Sequence, residues 1–236
     1  MSQNHDLCEA NYVWSSYIAE MWNTISSLSY IFLGVYGLNM YKLKWYRKIN
    51  YISLIFIGIG SVIFHSTLNR FGQILDELSI VNAIYIGMIM INPTNIISYI
   101  LWIINILLYF YNIFYLFILT VILSTGFLIY HSYNIYTKYP YLKLEIIYNY
   151  LIVGPLLIIS SFIFFWLPEH VFCVIYNVED RGYYIQKTPL HSFWHIFSSV
   201  GIFVWIMALM EFNKIKDRYK KYGNFIIKNS NSFNNV

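Results

Sequence analysis

The sequence predicts an all-α integral membrane protein, a seven-transmembrane helix bundle with its N-terminus lumenal and its C-terminus cytosolic. Three observations predict it. Of 236 residues, 58% are hydrophobic and only 11% charged, against about 25% charge in a soluble domain. Seven apolar stretches, at 22–41, 51–68, 74–91, 96–111, 113–131, 146–168 and 188–211, approach the roughly 17–25 residues that a spanning helix needs. Basic residues then alternate with these stretches as the positive-inside rule requires. Lys42, Lys44, Arg47, Lys48, Lys138, Lys143, Lys214, Lys216, Arg218, Lys220, Lys221 and Lys228 fall on the cytosolic side, and only Arg70, Arg181 and Lys187 on the other. The net charge of +4 follows from this topology and calls for no nucleic-acid partner.

The elements follow in order. The first twenty residues lack a basic leader region and contain Asp6, Glu9 and Glu20, so the first span is expected to insert by itself with its N-terminus translocated. The second span closes on GIGSVIFHSTL and the third opens on QILDEL. Only Tyr111 and Asn112 interrupt the apolar run between the fourth and fifth. The seventh opens on PLHSFWHIF. A single domain over 1–211 is expected. Residues 212–236 form a polar, basic cytosolic tail, suited to anionic lipid or simply to water, whose NSNSFNNV end is expected to be disordered.

Polar groups inside spans are costly and mark function by default. Ser61 and His65 lie four apart, as do His191 and His195, and residues so spaced share a helix face. The topology puts His65 near the end of the second span, Asp76 near the start of the third, and His191 and His195 at the opening of the seventh. All lie at similar depth on one side of the membrane. Three imidazoles suit zinc with one coordination position open, the pattern of a catalytic site. Zinc acidifies water and polarises a carbonyl, and Asp76 is placed to act as general base and then general acid. Ser61 could hydrogen-bond a developing oxyanion, although a serine in a transmembrane helix is more often bonded to its own backbone. Glu77 points about 100° away from Asp76 and reads as a packing residue. His5, His131 and His170 read as solvated or interfacial.

Two further features lie on the lumenal side. Asp6, Glu9, Asn11 and Glu20 form a short acidic stretch before the first span. Hard oxygen ligands suit calcium, but the stretch alone reads more readily as turn and helix-start residues. Cys8 and Cys173 share a compartment in which disulfides persist. The alternative is two free thiols.

With these residues assembled, the chain resembles the alkaline ceramidases, membrane amidases that hydrolyse ceramide to sphingosine and a fatty acid. The matching segments are CEANYVWSSYIAEMWNTISSLSYIFLGVYG, GIGSVIFHSTL with ILDEL, and TPLHSFWHIFSSVG. The resemblance implies a seven-helix fold shared with adiponectin-receptor-like hydrolases. It implies zinc held by His65, His191 and His195, with Asp76 and Ser61 in catalysis. It implies calcium held by Asp6, Glu9, Asn11, Glu20 and the main-chain carbonyl of Leu7. It implies a Cys8–Cys173 disulfide. The expected activity is zinc-dependent, calcium-supported cleavage of the ceramide amide in the endoplasmic reticulum or Golgi membrane, with the site toward the lumen. The alternatives are a receptor-like protein of the same fold, against which Asp76 and Ser61 argue, and a hydrolase of another lipid amide or ester.

Overall fold

The apolar stretches fold as helices because a helix satisfies every backbone polar group within its own segment. The computed structural model describes residues 8–40, 45–91, 94–111, 114–138, 145–171 and 190–233. Among the described residues there are seven long helices and no strand: α1 (Met21–Met40), α2 (Trp45–Thr67), α3 (Arg70–Ile91), α4 (Ile96–Phe110), α5 (Phe114–Lys138), α6 (Glu145–Ser161) and α7 (Leu190–Phe233). The helical course of α6 continues through a π-helical stretch, Phe162–Trp166, and a short turn, Leu167–Glu169. The expected break between the fourth and fifth apolar stretches lies between α4 and α5, with residues 112–113 outside the described set.

The helix count matches the seven expected spans, and among the described residues four segments are both long and apolar enough to cross a membrane: Lys48–Thr67, Arg70–Met90, Ile152–Glu169 and Leu190–Glu211. Ile96–Phe110 and Ile118–Tyr130 are shorter apolar helices. In α1 the buried residues include Asn23, Thr24, Ser26 and Ser27, so much of its interior face is polar. That face serves the site described below rather than lowering the cost of crossing the bilayer. The tail also departs from expectation. α7 continues to Phe233, through most of the NSNSFNNV segment expected to be disordered. No proline interrupts the chain after Glu211, and a lysine-rich segment is compatible with a solvated helix.

Close backbone approach sets the helix pairs. α1 packs on α2 and α7, α2 on α3, and α6 on α7. A Cβ added at Gly60 of α2 would lie 2.7 Å from the Leu75 carbonyl carbon and 2.8 Å from the Asp76 nitrogen of α3. Gly154 of α6 and Gly201 of α7 meet in the same way, each Cβ position 2.8 Å from the other's carbonyl oxygen. Small residues at such crossings replace the hydrophobic drive that lipid does not supply. α2 stops at Leu68, whose left-handed φ of 50° accompanies a Leu68 N–H bond to the Phe64 carbonyl at 2.6 Å, an end seen commonly in helices. Asn69 Oδ1 then accepts from Gly72 N at 2.7 Å and starts α3. This tight turn folds α3 back along α2 and brings Asp76 beside the turn of α2 that carries Ser61.

Two buried clusters lie along the bundle. One centres on Tyr30, Tyr51, Leu54, Ile57, Phe203, Ile206 and Met210, the other on Val81, Tyr85, Met88, Tyr109, Leu128, Trp205 and Leu209.

Candidate metal centre

His65 comes from α2, and His191 and His195 from the first turns of α7. One ligand nitrogen from each lies within 4.8 Å of the others. The rings are 5.1, 4.9 and 4.6 Å apart, taken as His65–His191, His65–His195 and His191–His195. His65 is fully buried, and His191 and His195 are 7% and 2% exposed.

The rings of His65 and His195 are held by hydrogen bonds at Nδ1. His65 Nδ1 lies 2.6 Å from Glu20 Oε2, and a carboxylate only accepts, so Nδ1 carries the proton. His191 Nδ1 lies 3.3 Å from Glu169 Oε2, an ion-pair contact in which neither atom makes a hydrogen bond. His195 Nδ1 faces Ser26 Oγ at 2.9 Å, Ser27 Oγ at 3.2 Å and the Asn23 carbonyl at 3.2 Å. Both serine hydroxyls donate to that same carbonyl, at 3.0 and 2.6 Å, so His195 Nδ1 must be the donor toward them. The Nε2 lone pairs of His65 and His195 are thereby left for the centre. A histidine metal ligand characteristically donates its other ring N–H to a carboxylate or carbonyl, which fixes tautomer and orientation.

The donor set therefore fits a metal ion. The decisive detail is His65 Nε2, which is buried and has no hydrogen-bond partner in the protein. Buried polar atoms are almost always satisfied, and a cation shared with His191 and His195 would satisfy this one.

Around the histidines stand the groups that could work on a substrate. Ser61 Oγ lies 2.8 Å from Ser27 Oγ and 3.4 Å from His195 Nε2. It also interacts with the half-buried Asp76 carboxyl, which lies within the field of His191. Ser61 has one hydrogen and three acceptors for it, Ser27 Oγ, His195 Nε2 and Asp76, since the Ser27 hydrogen is committed to the Asn23 carbonyl. Glu77 accepts from Gln73 Nε2 at 3.1 Å, and Gln73 in turn accepts from Arg70 at 2.8 Å. This ties Glu77 into α3's own face.

The acidic N-terminal stretch is only partly in view. Asp6 and Leu7 lie outside the described residues, as does Cys173. Asn11 is exposed. Glu9 is buried, and its two oxygens accept from Trp22 N at 2.7 Å and Asn23 N at 2.9 Å, holding the start of α1. Burial pushes the Glu9 carboxyl above its ordinary range against the pull of those two amides, and Glu20 and Glu169 add repulsion. Cys8 is buried and is not a free thiol, and its N–H donates to Glu169 Oε1 at 3.0 Å.

The sequence reading missed Glu169 and the Asn23, Ser26 and Ser27 group. It also missed Glu20's place beside His65. An acid in WLPEH at a span end reads as interfacial, and serines in an apolar helix read as bonded to their own backbone. The available signal was their number, four polar residues in five positions of a supposed span.

Comparison with known proteins gives the family. The family model described as Ceramidase matches residues 1–234. An alkaline ceramidase of Saccharomyces cerevisiae is 28% identical over 86% of this chain and 74% of its own. An alkaline ceramidase of Drosophila melanogaster is 26% identical over 88% of this chain and 76% of its own. An alkaline ceramidase of Arabidopsis thaliana is 38% identical over a shorter stretch, 35% of this chain and 34% of its own.

Proposed function

The chain belongs to the ceramidase family, and from that premise we propose that it hydrolyses the amide bond of ceramide within the membrane, releasing sphingosine and a free fatty acid. The observation that carries the reading is the set of three buried histidines, one ring nitrogen from each lying within 4.8 Å of the others. His65, His191 and His195 would hold zinc. Bound there, zinc would supply a Lewis acid for the amide carbonyl and acidify water.

The remaining work belongs to the chain's own side chains. Asp76 accepts the proton of the attacking water and delivers it to the leaving amine nitrogen, so one carboxylate serves both steps. Ser61 turns its single hydrogen from Ser27 or Asp76 toward the oxygen on which negative charge develops. The buried walls exclude bulk water, which strengthens each of these interactions.

Calcium has a supporting place in this reading. Asp6, Glu9, Asn11, Glu20 and the Leu7 carbonyl would hold it, and a Cys8–Cys173 disulfide would tie this segment to the chain before α7. The repulsion that Glu20 and Glu169 exert on the buried Glu9 is what a divalent cation would offset. The orientation proposed puts the N-terminus and the metal centre on the lumenal side of an endoplasmic reticulum or Golgi membrane.

The test is purified protein incubated with a panel of ceramides and with other lipid amides and esters, with and without zinc chelation, the products identified by mass spectrometry. Release of sphingosine that chelation stops and zinc restores is the expected result. Cleavage of esters alone would transfer the reading to another lipid hydrolase.

A further inference from the structure

The residues from Tyr12 to Ala19 close on themselves in a loop. Tyr12 N–H donates to the Ala19 carbonyl at 2.7 Å, and Tyr12 adopts a φ of 59°, uncommon for a bulky residue and kept only where the surroundings hold it. Ser15 Oγ accepts from Tyr17 N at 3.1 Å and fixes the tip. At the base of the loop Ala19 is buried, 1% exposed, while Tyr12 is half-exposed. The tip is the reverse: Val13, Trp14 and Tyr17 are 64%, 66% and 88% exposed. No charged residue lies between Tyr12 and Ala19.

An exposed apolar patch of this kind marks a protein or a membrane contact. Two observations favour the membrane. Trp14 packs edge-on against Trp22, ring centroids 6.1 Å apart. Trp22 begins the outward apolar stripe of α1, which continues through exposed Ile25, Leu28 and Phe32. The loop therefore extends a lipid-facing helix surface beyond the helix end. Its Trp and Tyr side chains, apolar in body with one polar tip, are the types enriched where acyl chains give way to headgroups.

The loop is also joined directly to the metal centre. Ala19 N donates to the Ser66 carbonyl at 3.0 Å and Glu20 N to the His65 carbonyl at 2.9 Å. The next link is the Glu20 carboxylate on His65 Nδ1 at 2.6 Å. One peptide bond separates the residue that closes the loop from the residue that orients a metal ligand.

We propose that the Tyr12–Ala19 loop is an interfacial anchor, seated by Val13, Trp14 and Tyr17 in the headgroup layer on the metal-centre side, and that it sets the depth of that centre in the bilayer. The proposal rests on the membrane-spanning reading, and its first test does not require hydrolysis of any lipid. The anchor explains how a centre built at a helix end meets an amide that sits at the boundary between headgroup and chains.

Full-length protein in phosphatidylcholine nanodiscs gives the first readout. The difference in tryptophan fluorescence between wild type and Trp14→Phe isolates Trp14. Its emission is expected to be blue-shifted, to lose most of its intensity when the acyl chains are brominated near the headgroup, and to resist aqueous iodide. Iodide quenching with no effect of bromine places the loop in water and overturns the proposal. So does a loop-dependent dimer, seen as a change of oligomeric state in Trp14→Phe. The second readout compares Trp14→Ala/Tyr17→Ala with wild type on ceramide. Turnover in nanodiscs is expected to fall by about tenfold or more, since small misplacements of reacting groups are costly. Turnover in mixed detergent micelles and bound metal should stay at wild-type levels. An equal loss in both settings, or a loss of metal, would make the loop a folding element only. Absence of ceramide hydrolysis in the wild type would sink the functional reading while the quenching result still decides this one.

Discussion

A histidine serves the centre only while its Nδ1 is engaged elsewhere, so the residues behind the ligands matter alongside the ligands themselves. His65→Ala, His191→Ala and His195→Ala should each lose lipid-amide hydrolysis and lower bound zinc. Full occupancy with full activity in any of them would remove that residue from the site. Glu20→Gln and Glu169→Gln test the support for His65 and His191, 2.6 and 3.3 Å away respectively. Replacing such a partner costs about 10–100-fold in metal affinity; competition with a chelator should show that loss, and unchanged affinity in both would assign the carboxylates to folding. Asp76→Asn should keep zinc and lose most turnover, because an amide cannot act as the base. Ser61→Ala should be milder, with about 3–4 kcal/mol of transition-state stabilisation as the upper end for one lost oxyanion donor. Near-normal turnover in Asp76→Asn would move the base role to Glu77. At this scale the sequence exposed the groups that are expensive in a membrane, namely His65, Asp76, His191 and His195. Glu169 escaped because an acid at a span end carries no such penalty. Ser26 and Ser27 escaped because each does bond its own helix backbone, at Asn23, and only the fold shows that the same oxygens accept from His195.

Helices, rather than loops, deliver the working side chains, and their crossings set the distances between them. Gly60 is the clearest case. With a Cβ there, α2 and α3 must part, because the Leu75 carbonyl carbon stands 2.7 Å from that position. Overpacking of this kind costs about 1–3 kcal/mol. Gly60→Ala should therefore lower the melting temperature and reduce turnover by moving Asp76 away from Ser61. Bound zinc should be retained, since the three ligands lie on α2 and α7 and not on α3. Wild-type turnover would show that the α2–α3 spacing does not set the reaction geometry, and loss of zinc would show that α3 supports the ligands as well. The apolar runs in the sequence locate the helices to within a few residues for most elements. They say less about α1, because hydropathy averages its lipid face and its interior face. Phe32 on the outside is 69% exposed while Ser27 on the inside is fully buried. The role of α1 in positioning His195, and of Glu20 just before it in positioning His65, is visible only once α2 and α7 are packed against it.

Across the whole molecule, the N-terminal segment links parts of the chain that are far apart in sequence. Glu9 holds the first amides of α1, the Cys8 N–H holds Glu169, and Glu20 holds His65. Acidic residues before a span suggest only a polar helix start; these long-range bonds appear only in three dimensions. Calcium acting here would neutralise carboxylates that repel one another and would stiffen α1 at the end nearest the metal centre. It would take no part in the chemistry, because the proposed reaction gives the roles of base and oxyanion donor to Asp76 and Ser61 on other helices. Activity, melting temperature and zinc content should therefore be followed across a calcium titration. Wild-type stability and turnover should rise together with calcium while zinc content stays constant. Glu9→Gln is the informative variant, because it keeps oxygen and nitrogen of similar size but halves the acceptors for Trp22 and Asn23 and removes the charge. It should melt lower than the calcium-loaded wild type, respond weakly to calcium and still hold zinc, since Glu9 touches none of the three histidines. Wild-type stability and activity that both ignore calcium would leave Glu9 with the single task of starting α1. Calcium-dependent zinc content would instead show that the segment holds the ligands in place rather than the helix alone.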